Sequence, residues 1–245
     1  MIRAFLAALD FLTVWHLPWP KQPDAPDRGR SLYFFGFIGL LIGGLLVVID
    51  FVSRPWPSAI GSVLILAGLL LATGGLHFDG LLDTCDGVFS KSTPKARLEV
   101  MRDSHSGAFA IAAGVLDLLL WWACSVDLTG AHHYTALLLM ATTSRCSMVL
   151  AVTLFPYARP AGLGKDFRDE RGRWAGIVNV VLAFAVGYAL LGLPGLFGAA
   201  AGLASAILTG MYLMTRLPGL TGDCYGAVNE IAQIATLFAL VPLLS

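Results

Sequence analysis

The 245-residue chain is poor in charge. Asp, Glu, Lys and Arg make up 13% of it, about half the share of a soluble domain, while 57% is hydrophobic. That scarcity excludes an ordinary water-soluble fold and points to a polytopic membrane protein. The formal net charge is zero, so there is no basic surplus of the kind that holds a polyanion, and no nucleic-acid partner is expected. Cysteine is sparse and unpatterned. Cys85, Cys124, Cys146 and Cys224 form no C-x-x-C pair and have no His at zinc-finger spacing, which excludes a zinc ribbon and leaves small buried thiols. Residues 1–17 lack the unbroken apolar core of a cleavable signal, because Arg3, Asp10 and His16 interrupt it. No repeat of fixed period occurs, and no connection is long enough for a soluble second domain. One integral membrane domain over residues 1–245 is expected, with 1–31 an N-terminal interfacial helix and loop and 32–245 the bundle.

What the chain does have is long apolar runs. Residues 2–16 repeat apolar side chains at helical spacing and predict an N-terminal helix, interfacial or packed on the bundle. The Pro-rich stretch Pro18 to Arg30 predicts a surface loop. Seven runs follow, near 32–52, 58–76, 108–126, 134–155, 174–193, 195–215 and 225–244, each long enough for a hydrocarbon core of about 30 Å. The fold class expected is therefore an all-α membrane bundle of about seven spans, the pair 174–193 and 195–215 being readable also as a re-entrant hairpin. Fourteen of the 16 Lys and Arg fall on the N-terminal side of these runs, in the N-terminal segment and in connections 77–107, 156–173 and 216–224. Arg54 stands alone on the other side and Arg145 lies inside a span. The asymmetry places the N-terminus and all three polar connections in the cytoplasm, in a cytoplasmic (inner) membrane. Gly39/Gly43, Gly198/Gly202 and Gly222/Gly226, at i,i+4, allow close helix contact; the oligomeric state stays open, a homo-oligomer included.

The polar residues gather in a few places. Asp79, Asp83 and Asp86 recur at i, i+4 and i+7 and share one face of a helix. Like charges so placed repel unless a cation holds them, and hard carboxylate donors fit Mg²⁺ bound jointly with substrate phosphates. The spacing is not that of an EF-hand, and only His77 and His105 are nearby to serve zinc. Gly80 and Gly87 leave room beside the acidic face for backbone or phosphate. Next come Arg102 and Asp103, readable as a phosphate clamp beside a further metal ligand or as a surface ion pair at a helix end, and His105, an acid–base group or a hydrogen-bonder to phosphate. Arg145, in Thr142-Thr143-Ser144-Arg145-Cys146, costs several kcal/mol in lipid unless partnered by an acid or a bound phosphate. Glu230 is a candidate partner, and Asp117 a further mid-span acid. The Gly162-Leu163-Gly164-Lys165 loop has the composition of a phosphate cradle without a Walker pattern. Asp223 opens the last span as a general base or a helix cap, and His77 is the other candidate base.

Gly75-Leu-His-Phe-Asp-Gly-Leu-Leu-Asp-Thr-Cys-Asp-Gly87, together with Met101-Arg-Asp-Ser104, resembles the cobalamin synthase family, the adenosylcobinamide-GDP ribazoletransferases. The likeness extends through the Gly162–Gly164 loop and Thr221-Gly-Asp-x-x-Gly-Ala-x-x-Glu230. It implies a Mg²⁺-dependent membrane phosphotransferase joining adenosylcobinamide-GDP to α-ribazole, or to its 5′-phosphate, with release of GMP. On that basis Asp79, Asp83, Asp86 and Asp103 are expected as metal ligands. Asp83, Asp86, Asp223 and His77 are expected in catalysis, and Arg102, Arg145, Gly162, Gly164, Lys165 and His105 in substrate binding. Asp83-Thr84-Cys85-Asp86-Gly87 also echoes the opening of the CDP-alcohol phosphotransferase motif, but Ser90-Lys91 replaces its Ala-Arg and the later acids are missing. An ion-coupled transporter using Asp79, Asp117, Arg145 and Glu230 is the remaining alternative. It is disfavoured because most acids collect at one face.

Overall fold

A computed structural model of the chain describes residues 1–15, 24–103, 105–159, 167, 172 and 174–244. It is helical throughout, and among the described residues the only β-type pairing is an isolated bridge between Tyr157 and Leu220. The helices are α1 (Ile2–Leu12), α2 (Ala25–Ser31), α3 (Phe35–Ser53), α4 (Ser58–Thr73), α5 (Leu76–Ser90) and α6 (Pro94–Val100). They continue with α7 (Ala108–Asp127), α8 (Gly130–Leu154), α9 (Ala175–Leu191), α10 (Leu193–Met214) and α11 (Gly222–Leu244). The four cysteines are free thiols.

By length and composition five helical stretches can cross a bilayer: Pro26–Ser53, α7, α8, α10 and α11. The expected count of seven is not confirmed. It is reached only if α4 and α5, joined at an 89° bend, make one broken span and the 17-residue α9 makes another. The bend sits at Gly74 and Gly75, both in the left-handed region (φ 62° and 68°), a conformation that costs a side-chain-bearing residue dearly. Two successive glycines therefore end the apolar α4 and send the acidic α5 off at a right angle.

The bundle is built around α8. Of its apolar window 78% is buried, against 33–50% for the other spanning helices. Small residues explain its central place. A Cβ on Gly39 of α3 would lie 2.4 Å from the carbonyl oxygen of Ala141, and one on Gly202 of α10 would lie 2.6 Å from the Thr143 methyl. Gly39 and Gly43 thus meet α8, and Gly198 and Gly202 meet both α8 and α11, as close-packing pairs do in lipid, where attraction comes from contact rather than from water exclusion.

The N-terminal region differs from expectation in one respect. The stretch Pro18 to Arg30, expected as a loop, contains α2 in its described part. Asp24 accepts the Asp27 N–H (2.9 Å) and Pro26 sits in the first turn, an N-terminal helix signature that the proline content obscured. α1 buries Ala4, Ala7, Ala8 and Leu12, and its Phe5 and Phe11 pack on Phe34 and Phe35. Behind them Asn179 of α9 is fully buried. It accepts the Gly36 N–H (3.1 Å) and donates to the carbonyls of Leu32 and Ala175 (2.9 Å each), pinning the start of α3. Asn179→Ala leaves the Gly36 amide and the Leu32 carbonyl unpaired in an apolar setting and is expected to cost about 2 kcal/mol. The check is the thermal midpoint of the detergent-solubilised protein, which should fall.

Candidate active site

At the α5 end of the bundle lies a cavity of about 340 Å³ lined by His77, Asp79 and Gly80 of α5, by Asp223, Tyr225 and Gly226 of α11, and by Arg102, Tyr157 and Arg159. Phe11 and Phe167 close its apolar side. Two backbone contacts shape it. α5 and α11 cross at Gly80 and Gly226: a Cβ on Gly80 would sit 2.7 Å from the Asp223 carbonyl oxygen, and one on Gly226 would sit 2.8 Å from that of His77. Glycine at both positions lets the backbones touch, so the side chains one residue before Gly80 and three before Gly226, Asp79 and Asp223, share one space. The second contact ties 156–158 to 219–220. The Ala158 amide donates to the Leu220 carbonyl and the Leu220 amide to that of Pro156, both at 2.8 Å, and a Cβ on Gly219 would strike this segment. The next residue, Arg159, is thereby held with its guanidinium 3.1 Å from Asp223 Oδ2.

Asp223 sits in the first turn of α11, where Thr221 Oγ1 caps the helix by accepting the Cys224 N–H (3.3 Å) and also donates to Asp223 Oδ2 (3.2 Å). The carboxylate is thus free of the capping task, and a negative charge at a helix N-terminus is stabilised there. Arg159 Nε is buried without a hydrogen-bond partner, as are both ring nitrogens of His77, which is 2% exposed in the cavity wall. Half-buried Asp83, one turn beyond Asp79, lies within electrostatic range of Asp79, Asp223, Asp86 and Arg159 without itself lining the cavity. Counting Arg102 with the tethered Arg159, carboxyl groups still outnumber guanidinium groups in this corner. Among the described residues no three His, Cys, Asp or Glu side chains close into a metal cage. The donors that do share the space are hard carboxylate oxygens beside a cavity, and Mg²⁺ takes only one or two carboxylates and completes its shell with phosphate and water. The donor chemistry fits that ion.

The whole of this arrangement falls inside one sequence family: a family model described as "Cobalamin-5-phosphate synthase" matches residues 4–241. The chain belongs to the cobalamin-5-phosphate synthase family. Curated relatives agree with the assignment. The chain is 33% identical over 249 residues to the adenosylcobinamide-GDP ribazoletransferase of Desulfitobacterium hafniense (strain Y51), covering 99% of the chain and 98% of the relative. It is 34% identical over 242 residues to the protein of that name from Geotalea daltonii (98% of each). It is 34% identical over 252 residues to that from Klebsiella pneumoniae subsp. pneumoniae (98% of the chain, all of the relative). No solved structure matches. The family assignment leaves the CDP-alcohol phosphotransferase and transporter alternatives without support.

Within this cobalamin-5-phosphate synthase fold the residues singled out from sequence separate into groups. His77, Asp79, Arg102 and Asp223 line the cavity, and Asp83 adjoins it. Asp86 is buried and turned to another purpose. Its carboxylate accepts the amides of Gly107 and Ala110 (3.0 Å for Ala110), capping α7 from a neighbouring helix. Asp103 and His105 pair with each other on the surface, His105 Nδ1 to Asp103 Oδ1 at 2.7 Å, and neither lines the cavity. The side-chain and backbone hydrogen bonds from His105 hold the Asp103 carboxyl below its ordinary range. Arg145 is fully buried behind the site, donating to Ser144 Oγ (3.0 Å) with Nε and Nη2 unpartnered. It lies in electrostatic range of Glu230, whose Oε1 accepts from Asn229 and Gln233 (2.8 and 3.0 Å), and Glu230 is in range of Asp117. Gly80 and Gly87 admit backbone, from α11 and from the Arg97 carbonyl respectively. Gly162, Gly164 and Lys165 lie outside the described residues.

Arg159 lines the cavity although in the sequence it is only one positive charge among fourteen on that side. Nothing in its neighbourhood marks it, since its partner is 64 positions away. As for Asp86, removing its carboxylate in Asp86→Ala uncaps α7 and is expected to cost about 1–2 kcal/mol. The readouts are a lower thermal midpoint and faster tryptic cleavage after Arg102.

Proposed function

We propose that this cavity transfers the adenosylcobinamide-phosphate group of adenosylcobinamide-GDP to α-ribazole, or to its 5′-phosphate, with release of GMP. The observation that carries the reading is the pairing of Asp79 and Asp223 across one cavity with Arg159 and Arg102 on its wall, in a chain whose full-length relatives bear the name of that reaction. In the step, a ribose hydroxyl oxygen bonds to the phosphorus nearer the corrinoid. The bond from that phosphorus to the bridging oxygen breaks, its electron pair leaves with GMP, and the hydroxyl proton passes to a base.

The two arginines meet the demands of such a transfer, which rests mainly on positioning and charge neutralisation. Arg102, exposed at the rim, attracts the diphosphate. Arg159, already oriented by Asp223, neutralises charge on the oxygens that become GMP. His77 and Asp223 are the groups placed to take the hydroxyl proton. His77 has an unengaged imidazole in the wall, and Asp223 faces the same space. Asp79 and Asp83 are the residues that would hold Mg²⁺, which, when bound, supplies electrophilic stabilisation of the diphosphate. Asp86, occupied by two amides, has less to offer. The concentration of Lys and Arg on one side supports a cavity facing the cytoplasm from the inner membrane.

Purified protein given adenosylcobinamide-GDP and α-ribazole should release GMP, lose that activity with EDTA and regain it with Mg²⁺. Asp79→Asn and Asp83→Asn should insert normally and turn over at least about a hundredfold more slowly. Metal-independent release, or wild-type rates in both variants, would refute the assignment. Arg159→Gln should lower kcat/KM by more than about tenfold with the fold intact, and Arg159→Lys should recover only part of it, since an ammonium cannot reproduce the guanidinium's paired donors.

A further inference from the structure

A second polar cavity lies at the other end of α3. Phe35, at the start of that helix, packs on Phe11 and Phe167 of the first cavity's wall, and Asp50 and Arg54 lie fifteen residues and more beyond it, about 22 Å along the axis. The ends of α3 and α7 and the starts of α4 and α8 enclose about 180 Å³ lined by Asp50, Ser53, Arg54, Ser58, Thr129 and Tyr134. One wall is a chain of hydrogen bonds across these helices. His133 Nδ1 meets Asp50 Oδ2 at 3.4 Å, His133 Nε2 meets Ser125 Oγ at 2.9 Å, and Ser125 donates to Ser62 Oγ at 3.0 Å. The connectivity is that of a hydrolase triad, but Ser125 is 1% exposed and held between His133 and Ser62, so no acyl group reaches it. The chain is a rigid support that fixes the Asp50 carboxylate at the cavity.

Arg54 gives this cavity its meaning. It is the one Lys or Arg that the charge distribution leaves on this side of the membrane, against the prevailing bias. Among the described residues it has no carboxylate within ion-pair distance. It lies instead over the rings of Phe51 and Tyr134, at 4.9 and 5.2 Å from their centroids. Those aromatic faces orient a guanidinium without neutralising it. Trp56 lines the cavity and is 51% exposed, and Phe51 and Val52, on the turn of α3 between Asp50 and Arg54, are 61% and 62% exposed, an apolar surface ending in a tryptophan as at a bilayer interface. A free positive charge, a braced negative charge and several hydroxyls thus share a cavity flanked by an exposed apolar surface.

We infer that this cavity binds the headgroup of a phospholipid that carries a primary ammonium, from the leaflet opposite the first cavity. The phosphate lies on Arg54 and the ammonium on Asp50. Phosphate suits a guanidinium fork, and an ammonium with N–H donors suits a carboxylate, whereas a trimethylammonium has no donor to give and a glycerol headgroup no charge. The acyl chains run along the exposed flank of α3 at Phe51 and Val52.

The test uses the full chain in detergent, delipidated and then titrated with phosphatidylethanolamine, phosphatidylcholine or phosphatidylglycerol, and read by native mass spectrometry and by thermal midpoint. One phosphatidylethanolamine per chain should be retained in preference to the other two, with a raised midpoint. Arg54→Gln, at an exposed position that the fold does not rest on, should weaken retention by about tenfold, the loss of a charge-assisted contact, while GMP release in detergent stays unchanged. Asp50→Asn should abolish the preference for the ammonium lipid. Equal retention of all three lipids, undiminished binding by Arg54→Gln, or equally good protection by soluble phosphoethanolamine would each overturn the proposal.

Discussion

The contact between Gly80 and Gly226 is the constraint on which the site depends. Two helices that approach until backbone meets backbone cannot place their flanking side chains freely. Asp79 and Asp223 are brought to one cavity because no Cβ intervenes between α5 and α11. Mutual repulsion of the acids opposes the arrangement, and the packing of α11 against α8 and α10 holds it. The site therefore stores an electrostatic demand for positive charge, met in part by Arg159 and otherwise by whatever binds.

A membrane bundle has little hydrophobic drive to bring helix to helix, so close packing and polar contacts must do so. This chain uses small residues along α8 and gives several interior polar groups a partner on another helix. Asn179 satisfies the break before α3, and Asp86 caps α7 from outside. Arg145 and Glu230 remain buried in electrostatic range of each other, a costly pair kept away from the cavity surface. The same economy appears at the opposite face, where four helix ends share the Asp50–His133–Ser125–Ser62 chain and leave Arg54 uncommitted.

Much of this was legible in the residues. The apolar runs gave helix ends within a few positions of those observed, because a bilayer demands long uninterrupted segments and charge ends them. The acidic spacing at 79, 83 and 86 marked α5 as the chemical helix. It could not say that Asp86 would turn away, since the amides of Gly107 and Ala110 that claim it lie more than twenty residues on. Arg145 was conspicuous because an arginine in an apolar run is rare. Arg159, in a polar connection where arginines are common, was not, and it is Arg159 that reaches the cavity. The helix α2 was hidden by a proline-rich stretch of which one member, Pro26, sits in its first turn.

By itself the amino-acid order determined the all-helical membrane class, the side on which charge collects, the family and the helix bearing the carboxylates. These follow from composition and from contacts within a few residues. Tertiary structure alone decided which of those carboxylates meet, which arginine joins them and which acid becomes a cap. The reason is physical: each of these outcomes hangs on an approach between segments that lie well beyond one helical turn in sequence, 21 residues apart for the Asp86 cap and 64 for Arg159 and Asp223, and local periodicity carries no record of which distant segments will pack.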